Sequence, residues 1–163
     1  MAPQSVLIDG PPPTDHADRS SGERCFDLSR SIDLHLASTA RTGEQAVAGK
    51  TSGLIGLDEQ VTWRARHFGV WQEFTSRITA FNRPHHFRDE MMRGAFRSFK
   101  HDRYFEIQNE RTAMRDVLCF SAPIPLFGRF AEPFLRSYLD RFLHERNALL
   151  KEVSESEDWR KFL

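Results

Sequence analysis

Residues 86–120 read HFRDEMMRGAFRSFKHDRYFEIQNERTAMRDVLCF. Phe87 and Met91 bracket Asp89, His101 and Arg103 keep the parity of Phe105 and Ile107, and Asp116 keeps that of Met114, Leu118 and Phe120. Successive side chains of a strand point to opposite faces, so this period of two predicts half-buried strands. The charged residues that hold the apolar register are the anomaly. An uncompensated charge inside a protein is costly and finds either a partner or a task.

The same pattern extends upstream. Strands are expected at residues 45–48, 60–68, 71–81, 86–92, 96–107 and 112–120, separated by turn chemistry at 53–56, Gly69, 82–84, Gly94 and 108–109. On 60–68, Val61, Trp63 and Ala65 set an inward face that includes His67, with Arg64 and Arg66 outward. On the next strand Val70, Phe74, Ile78 and Ala80 are expected inward, with Glu73, Arg77 and Thr79 facing solvent. Residues 5–8 suit one more short strand, which Gly10 and the prolines at 11–13 terminate; 14–22 reads as a flexible loop. Residues 24–36, free of glycine and proline, predict one or two short helices.

From 126 to 153 the period changes. Phe127, Phe130, Phe134, Tyr138, Phe142 and Leu149 recur at steps of three and four, with Leu135, Leu139 and Leu143 widening the stripe, which predicts a long amphipathic helix. Pro133 should kink it or mark its effective start. At 1.5 Å per residue such a helix is about 40 Å long, enough to cross a sheet of six or seven strands. An antiparallel sheet wrapped around it buries both apolar faces, giving an α+β class. The chain divides into an N-terminal strand and loop (1–22), a main domain (23–154) and a tail (155–163).

Composition narrows the function. The 163 residues suit one domain, and 14 Phe suit a large core or a greasy pocket. Lys plus Arg equals Asp plus Glu at 23 each, which removes the electrostatic case for nucleic acid. Cys25 and Cys119, with no CxxC, indicate neither a disulfide framework nor a zinc site. No apolar run reaches the length of a membrane span and no leader pattern opens the chain, so the cytoplasm is the expected compartment. No cofactor is indicated, and a homodimer stays open.

The strand parities converge Asp89, His101, Arg103 and Asp116 on one interior. They form either the polar end of a ligand pocket, with an acid and base pair, or a structural ion-pair network; the structural reading is the default. Other signals are weaker. Gly49, Lys50 and Thr51 resemble the end of a P-loop, but Glu44 stands where its first glycine is needed. His85 and His86 are strand neighbours that cannot share a metal. His35 fits a cap or core position, Met91, Met92 and Met114 fit core filling, and no serine or cysteine has the context of an activated nucleophile.

The series Phe87, Asp89, Met91, Gly94, Phe96, Phe99, His101, Phe105, Thr112, Asp116 and Phe120, leading to Pro123, Pro125, Leu126 and Gly128, resembles the SRPBCC proteins, also called START-like or polyketide-cyclase-like. Cys25, Phe26, Asp27 and Leu28 are similar to their first helix. The resemblance implies a helix-grip fold: a curved antiparallel sheet of about seven strands around a long C-terminal helix, with two short helices, enclosing a cavity for lipids, polyketides or aromatic molecules. Arg103 stands where related members often have a second histidine.

The leading expectation is binding or carrying of a small hydrophobic ligand. The candidate contacts are Trp63, His67, Phe74, Ile78, Asp89, Met91, His101, Arg103, Phe105, Asp116 and Phe120 on the sheet, and Phe134 and Tyr138 on the helix. The alternative is a cyclase, dehydratase or hydrolase, with His101 or Asp116 as general base and Arg103 stabilising developing negative charge. A third is a regulatory module whose proline loop and tail, with Trp159 and Phe162, contact a partner.

Overall fold

The structure, a computed structural model, describes residues 4–9, 21–67, 69–108, 111–121 and 125–163, with side chains outside the description at 4–9, 21, 67 and 125–132. Seven strands form one antiparallel sheet: β1 (Gln4–Asp9), β2 (Gln45–Gly49), β3 (Gln60–His67), β4 (Val70–Asn82), β5 (His86–Arg93), β6 (Ser98–Gln108) and β7 (Arg111–Ser121). Their spatial order is β1-β7-β6-β5-β4-β3-β2. Two short helices, α1 (Ser21–Ser29) and α2 (Ile32–Ser38), precede β2, and the long α3 (Pro125–Glu155) closes the interior. The loop expected at 14–22 lies largely outside the described residues.

Each boundary has a local cause. Ser31 caps α2, its hydroxyl accepting from the Leu34 N–H at 3.4 Å. Gly49 ends β2 with φ at +74°, and a Cβ there would meet the Gln60 carbonyl, so the Gly-Lys-Thr run is strand-end geometry. Helix α3 runs unbroken through Pro133 and starts eight residues earlier, at Pro125, so Pro133 does not mark its start.

Strand parity holds where the ladder is regular and changes at bulges. The β6–β7 pairing runs without a shift from Ser98 to Gln108, which sets His101, Arg103 and Phe105 on the inner face. On β4 the register slips between Ile78 and Ala80: Ala80 pairs with Arg88 and Phe81 with Phe87. Ala80 therefore leaves the inner face and Phe81 takes its place, since one extra residue reverses every later side chain. Val70, also expected inward, is 60% exposed at the end of the β3–β4 hairpin.

The inner face and α3 bury two apolar clusters. One gathers Phe26, Phe87, Phe105, Met114 and Leu150; the other gathers Leu118, Phe120, Leu139 and Leu143. Trp159 and Phe162 of the tail pack on the first, and the Phe162 carbonyl accepts from Ser31. Phe26 meets Phe81, Phe87 and Phe105 edge-on at centroid distances of 5.4, 5.4 and 5.3 Å. Truncating a fully buried aromatic removes both transfer energy and packing partners. Phe26→Ala should lower unfolding free energy by about 3–5 kcal/mol in denaturant titration; a loss under about 1 kcal/mol would show that α1 does not anchor this cluster.

Candidate functional site

A buried polar belt separates the two clusters. Along β6 it falls between Phe99 and Phe105, along β7 between Met114 and Leu118, and along α3 between Leu143 and Leu150. Cross-strand register aligns Phe87, Arg103 and Asp116 in one rung and Asp89, His101 and Leu118 in the next. Arg103 and Asp116 are 1% and 0% exposed.

Asp116 is the acceptor at the centre. Arg103 Nε lies 2.9 Å from its Oδ1, an ion pair whose N–H is not aligned as a hydrogen bond. His101 Nε2 is 2.7 Å from the same oxygen, and Asn147 Nδ2 donates to Oδ2 at 2.6 Å. Burial alone would raise the Asp116 pKa, but Arg103, His101 and Asn147 together hold it well below the carboxylate range. An ionised carboxylate only accepts, so the His101 proton resides on Nε2. Burial outweighs Asp116 at the imidazole and keeps His101 neutral to lower pH than an exposed histidine.

Beside the belt lies a cavity of about 290 Å³ between the sheet and α3. Its apolar lining is Trp63, Ala65, Phe74, Ala95, Phe96, Phe99, Leu118, Leu135, Tyr138, Leu139, Phe142 and Leu143, and its polar lining is His35, Glu44, Gln72, Asp89, His101, Arg146 and Glu73, the last expected to face solvent. The His35 ring lies tilted against Trp63 at a centroid distance of 4.2 Å and shares a 3.2 Å contact with Glu44. Asp89 Oδ1 is sealed and has no hydrogen-bond partner. Burial raises the Asp89 pKa, against smaller opposing effects from Ser76 and the charges of His101 and Arg146. Burial also pushes the Cys25 thiol up to about 12, which makes it an inert core group.

The chain shares this architecture with solved structures. A START superfamily protein of Mycobacterium smegmatis is 11% identical over 94% of this chain and 96% of its own, with a TM-score of 0.61. Ginseng major latex-like protein 151 of Panax ginseng gives 14%, 95%, 98% and 0.60 in the same order. TTHA0849 of Thermus thermophilus gives 15%, 93%, 94% and 0.66. The chain has the START-like helix-grip fold. At these identities the likeness concerns the fold alone. No family model matches the chain, and no curated protein does. Among the described residues no helix is long and apolar enough to cross a membrane.

Within this START-like interior the expected contacts separate into groups. Trp63, Phe74, Asp89, His101 and Tyr138 line the cavity. Arg103 and Asp116 stand behind His101. Ile78 lines a second void of about 50 Å³, Phe105 and Phe120 belong to the flanking clusters, and Met91 does not line the cavity. Phe134 is 62% exposed because the helix face that enters the cavity runs through Leu135, Leu139, Phe142 and Arg146, one position off it. His67's side chain lies outside the described residues. Arg146 was not anticipated, yet it interrupts the α3 stripe between Leu143 and Leu150, the same signal that singled out the charged strand residues.

Two outcomes follow from the belt. Arg103→Met leaves Asp116 without its cation and should cost about 3–5 kcal/mol of stability; a loss under about 1 kcal/mol would match a solvated pair instead. For Asp89 the folded pKa lies above the unfolded one, so its ionisation penalises the fold increasingly as pH rises above about 4. Asp89→Asn should therefore gain on wild type in melting temperature as pH rises from about 4 toward the raised Asp89 pKa. A difference in melting temperature that stays flat with pH would contradict that environment.

Proposed function

We propose that the protein binds or carries a small hydrophobic ligand in the cavity between the sheet and α3. The observation that supports this most is the composition of the wall: aromatic and aliphatic side chains make up most of it, with a smaller number of polar groups that include Asp89, His101 and Arg146 of the belt. Small-molecule sites have this pattern, and about 290 Å³ lies near the lower end of their size range, which suits a ligand of one or two rings or a medium chain.

A second reading, acid–base chemistry on the bound ligand, is favoured by the His101 geometry. Asp116 fixes Nε2–H, which leaves Nδ1 as a neutral imidazole's accepting nitrogen on a side chain that lines the cavity. That arrangement is the one a general base needs. It requires turnover of the ligand that His101→Asn abolishes while binding persists; a ligand recovered chemically unchanged after prolonged incubation counts against it.

The binding reading is tested with 6-propionyl-2-(dimethylamino)naphthalene, a neutral fluorescent probe of two rings. Wild type should bind it saturably, with a Kd on the order of micromolar. Ala65→Phe places a ring into the cavity, so it should weaken the probe at least about tenfold with little change in melting temperature, whereas overpacking a solid core costs about 1–3 kcal/mol. Absence of saturable binding, or equal binding by the variant, would overturn the proposal.

A further inference from the structure

Arg146 is the one arginine of the belt, among the described residues, that makes no ion pair. Arg103 has Asp116; Arg146 has a single hydrogen bond, from Nη2 to the Ser29 carbonyl at 3.1 Å, and no ion pair among the described residues. That carbonyl already accepts from Arg103 Nη1 at 3.2 Å, so Arg146 is not needed to satisfy it. Three carboxyls stand near enough to act on Arg146: Asp116, Asp89 and Glu44. Asp116 is engaged by Arg103, His101 and Asn147, and Glu44 by His35. Asp89 is held toward its protonated form by burial.

Burial and the neighbouring Arg103 charge push the Arg146 guanidinium down to about 9, which leaves it charged at neutral pH. A half-buried cation without an ion-pair partner costs the fold around it stability. Its place on the stripe, between Leu143 and Leu150, is one that an apolar side chain would fill without that penalty. Arg146 also lines the cavity, so an entering molecule meets a half-buried cation that has no ion pair among the described residues. Stability given up at such a position points to a task.

We infer that the cavity's ligand is a small organic acid, its apolar body lying among Trp63, Phe99 and Phe142 and its carboxylate received by the Arg146 guanidinium through charge-assisted hydrogen bonds. The inference rests on the cavity being a ligand site and adds the chemical class of that ligand. Burial, which raises the Asp89 pKa, biases that side chain toward the neutral form that repels a carboxylate least.

The test is calorimetric titration of wild type and Arg146→Met with 2-naphthoic acid, its methyl ester and naphthalene. Wild type should bind the acid about ten- to a hundredfold more tightly than the ester, the range of a hydrogen bond to a charged group. In Arg146→Met that ratio should fall to about one with ester affinity retained, and the variant should melt at or above wild type. An ester that binds wild type as tightly as the acid, or an acid preference that survives in Arg146→Met, would overturn the inference and leave the cavity reading standing. Failure of all three compounds to bind wild type would remove both. A variant that melts several degrees below wild type, or does not fold, would make Arg146 a structural group and overturn the inference as well.

Discussion

Removing the Arg103 guanidinium from water costs several kcal/mol, and the elements around it are arranged to offset that cost. Strand β7 supplies Asp116 across the ladder, α1 supplies the Ser29 carbonyl, and β5 supplies the Phe87 ring at 5.9 Å. Helix α3 joins through Asn147, which donates to the second oxygen of Asp116. One ion pair thereby fixes the relative positions of sheet, short helix and long helix. Its directional bonds specify a register that two apolar clusters, which tolerate sliding, would specify less sharply.

The belt also determines what the interior can hold. It lies between two apolar clusters and shows one side, His101, Asp89 and Arg146, to the cavity. Asp116 serves the fold by pairing with Arg103 and serves the site by orienting His101. A single carboxylate thus couples stability to the electrostatics of the cavity. The groups that the fold leaves unsatisfied there, the Asp89 oxygen and the Arg146 charge, belong to side chains that line it.

Much of this was legible in the chain. A period of two is read directly, and because β6 and β7 pair without a shift, parity alone placed Asp89, His101, Arg103 and Asp116 together. The bulge that turns Ala80 outward carries no glycine or proline and depends on cross-strand pairing, which no local pattern displays. Helix faces are harder to resolve than strand faces, since neighbouring stripes differ by one residue; Phe134 and Leu135 are both apolar, and only packing decides which enters the cavity. Arg146 was visible as a break in the stripe. What the chain could not display is that its charge lacks a partner, a property of three-dimensional placement.

The most direct measurement is a crystal structure of the protein with 2-naphthoic acid bound. The account predicts the naphthyl ring in the cavity beside Trp63 and Phe142, the carboxylate within hydrogen-bond distance of Arg146, and the Arg103–Asp116 pair undisturbed behind His101. Arg146 turned into an ion pair with Asp89 or Asp116, with the cavity closed by side chains and the acid bound elsewhere, would contradict it.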